Sequence, residues 1–549
     1  MSFKLKYLRQ ERTFDTKVRL LDLIKDQDPN HEYICARVNN RVRELNFEIY
    51  FDAEIDFLTV KDPDAVRVYE ATLRFIFSMA WNRIYPELKF RLAYNVSRCI
   101  SVHILTKGHH ADKAMMDKVK AEMDKIIKED LPITRLVMSN AEAAEFYKEK
   151  GFDDKLAILP FRPEKTVHLN KAGEYIDYMY QHMAPSTAYI TDYEIKLYNP
   201  GLLIRYPRAE EGGKIPEYED SPTFARTLYD AHHWGRIVGA ATVAGINSQI
   251  QDLGTIEFIN LCEAKHNRML CELGQMIEND IDNIRLICIA GPSSSGKTTF
   301  ANRLRIELLS RGIHPIRISL DDYYKPKGET PLDEDGKPDY ETINALDIEH
   351  FASDMVALIN GETVTLPRFD FQLGHAVPGR TLSIGEHEPL IIEGIHALNE
   401  ILTRDIPKNA KFKIFIAPQS QMNLDDHNPV SLTDLRLIRR IVRDHKYRNS
   451  SAEETMSMWP SVRRGEFKWI YKTQEGCDYV YNSYLPYELP VMKKYALPLL
   501  MKIERDSEFY PTASRLKHML KFFVDMDDQW IPSNSLIREF IGGSCYKDV

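Results

Sequence analysis

The run Gly291-Pro292-Ser293-Ser294-Ser295-Gly296-Lys297-Thr298-Thr299 has the residue types and the spacing of a loop that holds a nucleotide's phosphates. Glycines at its first and sixth positions let backbone N–H groups close around phosphate oxygens. Lys297 can reach the outer phosphates, and the Thr298 hydroxyl can join the shell of a Mg²⁺ ion. The loop directly follows the apolar run Leu286–Ala290 and precedes a helix-forming stretch, so a helix N-terminus adds its dipole to the anion site. All nine residues, Gly291 to Thr299, are therefore read as the ATP-binding segment.

Two acids and a set of arginines complete a candidate transfer site. Ser319-Leu-Asp321-Asp322-Tyr-Tyr324 ends a second apolar run. A carboxylate there can face the γ-phosphate, accept the proton of an attacking hydroxyl or hold metal-bound water, and Asp321 is given that role. Asp322 is read as a cap of the turn. Pro389-Leu-Ile-Ile-Glu393-Gly places Glu393 at another strand end, where it can order Mg²⁺ with Thr298 and Asp321. In Asp434–Asp444, Arg436, Arg440 and Arg443 recur at helical spacing on one face, the pattern of a lid that meets the charge of a transferring phosphoryl group. The alternative for that run is a solvated helix whose arginines pair with Asp434 and Asp444.

These residues need a scaffold that brings strand ends together. From Arg285 onward, short apolar runs (Leu286–Ala290, Ile316–Leu320, Pro389–Glu393, Phe412–Ile416) alternate with helical stretches. That texture predicts an α/β unit with a parallel sheet, whose ligands bind at the carboxyl ends of the strands. Upstream, Tyr33–Val38 and Arg41–Leu45 flank Asn39-Asn40, a pair suited to a tight hairpin turn, and predict a small β-rich module. Helical spacing follows over about 64–84 and 113–128, and the α+β region continues through Tyr175–Tyr180. The expected division is a β-rich domain at 1–62, an α+β domain at 63–225, a helical linker at 226–283, the phosphate-loop domain at 284–510 and a C-terminal extension at 511–549.

At 549 residues the chain is too long for a single core. Its net charge of −9 provides no global positive field for a polyanion. The seven cysteines are scattered, odd in number and never spaced as CxxC, which argues against a disulfide framework or a cysteine-rich zinc site. The first residues, MSFKLKYLRQERTF, lack the apolar core of a signal peptide, and no run is long enough to cross a bilayer. A cytoplasmic protein without a membrane partner is expected. His109-His110 and His232-His233 have no Cys or Asp cluster at ligand spacing and receive no role.

Taken in order, the motifs over about 285–505 resemble the uridine kinase branch of the phosphoribulokinase/uridine kinase family. The resemblance rests on Gly291–Thr299, Ser319–Lys325, Leu366-Pro-Arg-Phe-Asp-Phe371, Ile392-Glu-Gly-Ile395 and the arginines of Asp434–Asp444. It implies a P-loop NTPase sheet, ATP with Mg²⁺, Asp321 as the base on a nucleoside 5′-hydroxyl, Tyr324 near the nucleobase, and Arg440 and Arg443 on phosphates with Lys297. It also implies an acceptor pocket around Phe369, Asp370 and His375. In this chain the histidine is displaced by one residue from its place in uridine kinases, and Asn344 stands where the family's ribose segment has an aspartate.

The first half resembles another family: the TGS module, a β-grasp-like domain, and the editing-type domain of threonyl-tRNA synthetase. The matching stretches are Ala36–Leu45, Arg83-Ile-Tyr-Pro86 and Met123–Arg135. The metal-binding and editing positions of the synthetase fall here on Ala71, Phe75, Met179 and Met183, which form no zinc set. The resemblance implies a scaffold, a sensing module or an RNA contact. Three functions stay open on the sequence: a nucleoside kinase acting on uridine or cytidine, a kinase of another small hydroxyl compound, and a nucleotide-driven switch whose first half binds RNA. Assembly into an oligomer stays open as well.

Overall fold

Asn39 and Asn40 adopt positive φ angles of 45° and 57°. They close the hairpin between Tyr33–Val38 and Arg41–Arg43. Asn is one of the few residue types that takes this left-handed geometry readily. The computed structural model describes residues 2–94, 98–333, 336–370, 373–385 and 387–547. The hairpin forms one edge of a five-stranded mixed sheet in which Phe3–Tyr7 pairs antiparallel with Gln10–Phe14 and parallel with Ala53–Thr59.

Helix Pro63–Ile84 follows, with Asp62 as its cap and proline at its first position, where the missing N–H costs nothing. It is buried almost throughout from Ala65 to Trp81. Two antiparallel sheets accompany it. One contains Phe90–Tyr94, Ile100–Ile104, Gly201–Arg205 and Glu194–Tyr198; the other contains Thr134–Ser139, Thr166–Ala172 and Tyr175–Asp177. Ala71, Phe75, Met179 and Met183 are all buried in one apolar cluster shared with the first sheet.

The segment expected to be a helical linker is core instead. Helices Val243–Asp252 and Thr255–Glu278 bury Ile246, Phe258, Ile259 and Leu273 in the same cluster as Ile287, Phe300 and Ile414 of the second half. Their apolar faces are too wide for solvated connectors. Leu169 and Tyr178 from the first half, and Leu516 and Phe540 from beyond residue 510, join that cluster too.

The second half is a five-stranded, wholly parallel sheet in the order Ile316–Ser319, Leu390–Glu393, Leu286–Ala290, Lys411–Ala417, Tyr479–Asn482. Leu286–Ala290 and Leu390–Glu393 are buried along their whole length, as strands covered on both faces must be. Their parallel register sets Ile289 beside Glu393 and Ile318 beside Ile392, so the tips of neighbouring strands emerge at one edge.

A buried ionic cluster fastens the halves together. Lys155 Nζ lies 3.2 Å from Asp177 and 3.1 Å from Asp425, and His427 Nδ1 lies 2.6 Å from Asp177. Asp425 and His427 belong to a small hairpin, Asn423–Pro429, that the second half inserts into the first.

Candidate active site

The phosphate loop lies at the carboxyl end of the central strand, and Lys297 opens helix Lys297–Leu309. Gly291 passes so close to the next strand that a Cβ there would sit 1.9 Å from the Ile416 carbonyl oxygen. Gly296 has φ +92°, which favours glycine. Lys297 Nζ donates to the carbonyls of Gly291 at 2.9 Å and Pro292 at 3.3 Å. The hydroxyls of Ser294, Ser295 and Thr299 are buried without a hydrogen-bond partner. A cradle with unused donors at a helix N-terminus fits an anion.

Two acids, Glu393 and Asp321, converge beside it. Thr298 Oγ1 lies 3.5 Å from Glu393 Oε1. Burial pushes the Glu393 carboxyl up to about 7, and the charge of Asp321 adds to the effect. Asp321 is solvent-exposed at the strand end, with protein packed around it. Burial raises its pKa, and Lys297, Arg448 and Arg443 offset part of that rise. Burial likewise lowers the Lys297 ammonium, against the pull of Glu393 and Asp321. Asp322 turns away, and its carboxylate accepts the Phe369 backbone N–H at 3.2 Å. The donor set of Thr298, Glu393 and Asp321, hard oxygens beside a phosphate cradle, fits Mg²⁺ carried in by a nucleotide. Among the described residues no group of three or more His, Cys, Asp or Glu side chains forms a metal site on its own.

The arginine helix spans Leu432–Arg448 and is core rather than a peripheral lid, since Asp434 to Val442 are buried. Arg436 is held by Glu466 and donates to the Ser293 carbonyl oxygen at 2.9 Å. Arg439 pairs with Glu488 and donates to the Ser294 carbonyl oxygen at 3.3 Å. Neither is free to meet a substrate. Arg440 donates to Ser293 Oγ at 2.8 Å, and both Arg440 and Arg443 lean on the buried Asp444, at 3.2 and 2.7 Å. The face is thus preset against the phosphate loop, and its charge is only partly neutralised.

Of the residues expected around an acceptor, Tyr324 and His375 line a cavity of about 440 Å³ with Asp322, Tyr323, Asp347 and His350. Phe369 packs edge-on to Tyr324 at 6.2 Å and is buried behind it. Asp370 accepts the Leu373 N–H at 3.0 Å in the turn of the hairpin Val364–Leu382. Phe371 lies outside the described residues. Asn344 is exposed, and Asp347 caps helix Ile348–Ile359.

Sequence reasoning missed three groups. Glu341 carries a carboxyl that burial and Glu466 push up to about 7, within the fields of Lys297 and Arg440. His396 is buried beside the backbone of Glu341 and Thr342, and its pKa is lowered by burial to about 4. Glu539, far along the chain, accepts the Thr299 backbone N–H at 3.1 Å, while Leu536 covers Gly296. Glu341 has a sequence signal, since it lies three residues before Asn344 in the stretch compared with the family's ribose segment. A single acid in a C-terminal extension has none.

With this geometry in place, the comparisons with known proteins divide along the chain. Residues 286–484 match the model of the phosphoribulokinase / uridine kinase family. That segment is a domain of this family. The kinase-family domain holds the phosphate loop, Asp321, Glu393 and the arginine helix, and a P-loop kinase is the coarse reading it supports. The first half is similar to threonine–tRNA ligases. That of Carboxydothermus hydrogenoformans is 27% identical over 187 residues, which cover 34% of this chain and 29% of the ligase. The chain spans under a third of the length of the curated relatives it matches. Among solved structures, a "possible uridine kinase" from Bacillus stearothermophilus is 24% identical with TM-score 0.21, covering 24% of this chain and 70% of that one. D-glycerate 3-kinase from Cryptococcus neoformans is 12% identical with TM-score 0.28, covering 38% and 89%. No helix among the described residues is long and apolar enough to cross a membrane.

Proposed function

We propose that the chain is a cytoplasmic kinase that moves the γ-phosphoryl group of ATP to the 5′-hydroxyl of a nucleoside, with uridine or cytidine favoured. The observation that carries this reading is the convergence, at one sheet edge, of Lys297, Thr298, Glu393 and Asp321, the last of which immediately precedes Asp322 and the two tyrosines that wall a cavity. The ligase-like half contributes no editing chemistry in this account, because Ala71, Phe75, Met179 and Met183 offer no hard or imidazole ligand.

Each residue has a task. Gly291–Thr299 hold the phosphates, and Thr298 with Glu393 would hold Mg²⁺, which neutralises charge on the phosphate oxygens. Asp321 accepts the hydroxyl proton as the acceptor oxygen bonds to the γ-phosphorus and the bond from that phosphorus to the bridging oxygen breaks. Lys297, Arg440 and Arg443 stabilise charge on the oxygens in transit, in a site already oriented before substrate arrives. Tyr324, backed by Phe369, offers a face for the nucleobase.

The test is ADP release with Mg²⁺ across a panel of ribo- and deoxyribonucleosides. Release that requires a nucleoside supports the proposal. Hydrolysis that ignores every nucleoside favours a nucleotide-driven switch or another hydroxyl acceptor.

A further inference from the structure

A cleft of about 500 Å³ lies away from the kinase site, where the N-terminal sheet, the ligase-like sheet and helix Tyr510–Leu520 meet. Its volume is that of a small-molecule site. Six arginines line it: Arg41, Arg43, Arg67, Arg135, Arg162 and Arg515. Four of them have carboxylate partners. Arg67 pairs with Asp64 at 2.8 Å, Arg135 with Glu44 at 2.7 Å, Arg162 with Glu164 at 3.7 Å, and Arg515 with Asp434.

Arg41 and Arg43 are different. Two residues apart on one strand, they point to the same face. Neither has a carboxylate partner among the described residues. Arg41 lies over the Tyr510 ring at 5.5 Å and Arg43 over the Phe47 ring at 4.7 Å. Both are half-buried, and Arg43 is depressed by burial and by the neighbouring charges of Arg41 and Arg135. Like charges gathered in a partly buried cleft cost free energy unless an anion completes them. Two uncompensated cations call for about two negative charges. A phosphomonoester near neutral pH supplies that number in a form that guanidinium forks grip, whereas one carboxylate would leave a charge unmatched.

We propose that this cleft is a second phosphate site, in which Arg41 and Arg43 hold the phosphomonoester of a ligand whose buried part is about the size of a nucleotide. The phosphate could come from a free nucleotide or from the end of an RNA strand; the chemistry at the arginines is the same.

The experiment uses the full chain carrying Lys297→Met, which removes the loop lysine, and measures pyrophosphate binding by calorimetry. Binding at one site per chain is expected. Adding Arg41→Gln and Arg43→Gln should weaken it at least about tenfold, the effect of losing one or two charge-assisted contacts. Ser514→Asp, which puts a negative charge into the cleft without removing any packing group, should weaken it comparably and guards against misfolding of the arginine variant. Repeating the titration with AMP and with a 5′-phosphorylated RNA tetranucleotide identifies the source, since the tighter binder is the one whose remainder the cleft accommodates. No pyrophosphate binding to the Lys297→Met chain, or binding unchanged by both cleft alterations, overturns the proposal.

Discussion

Glu539 offers a quantitative test of how the phosphate loop is used. Its carboxylate accepts the Thr299 N–H at 3.1 Å and is buried there, with Leu536 against Gly296 and Phe540 beneath Arg439 at 5.0 Å. The C-terminal segment thus presents its own anion to a backbone donor at the start of the loop helix, and a nucleotide phosphate taking that donor must displace it. A hydrogen bond to a charged acceptor contributes about 1.5–3 kcal/mol and a neutral one about 0.5–1.5 kcal/mol. Glu539→Gln keeps the geometry and removes the charge, so the competition weakens by about 1 kcal/mol. MgATP should then bind about fivefold tighter by calorimetry. Stability should change little, because the amide oxygen still accepts from Thr299. Unchanged or weaker MgATP binding in a folded Glu539→Gln protein would refute the idea that this carboxylate competes with nucleotide.

Three further outcomes are expected. Asp321→Asn should retain MgATP binding while phosphoryl transfer falls at least about a hundredfold, the lower range for a general base; full turnover would remove Asp321 from that role. Arg440→Gln should lower kcat by about a hundredfold with a smaller change in KM, the pattern of a charge used mainly in the transition state. Lys155→Met should lower unfolding free energy by about 3–5 kcal/mol at neutral pH, because Asp177 and Asp425 would lose their buried cation. Burial alone would raise the Asp177 carboxyl, but Lys155 and His427 hold it well below the usual range. Its contribution is therefore present above the ordinary carboxylate pKa and lost as pH falls toward the folded value. Denaturant titrations should show the gap between wild type and Lys155→Met narrowing below about pH 4, since a protonated acid needs no cation.

What was legible in the sequence was local. The turn at Asn39-Asn40, the helix over about 64–84 and the strand Leu286–Ala290 are each specified by nearby residues: a left-handed turn pair, apolar residues at helical spacing, an unbroken apolar run. The order of strands in the parallel sheet and the status of residues 243–278 depend on which apolar faces meet, and spacing alone does not report that. Periodicity did place Arg436 and Arg440 on one face. It could not reveal that Arg436 is committed to Glu466, thirty positions away. The reach of Glu539 to Thr299 spans 240 residues and exists only because the last segment folds back onto the loop helix.

The central claim is transfer of a phosphoryl group to a nucleoside hydroxyl, and the most direct measurement follows the atoms. ATP labelled with ¹⁸O in its γ-phosphoryl group is incubated with Mg²⁺, uridine or cytidine, and the full chain, and the products are resolved by mass spectrometry. The account predicts a labelled nucleoside 5′-monophosphate formed in step with ADP, and at least about a hundredfold less of it from the Asp321→Asn protein. Label recovered only in inorganic phosphate, with the nucleosides untouched, would contradict it.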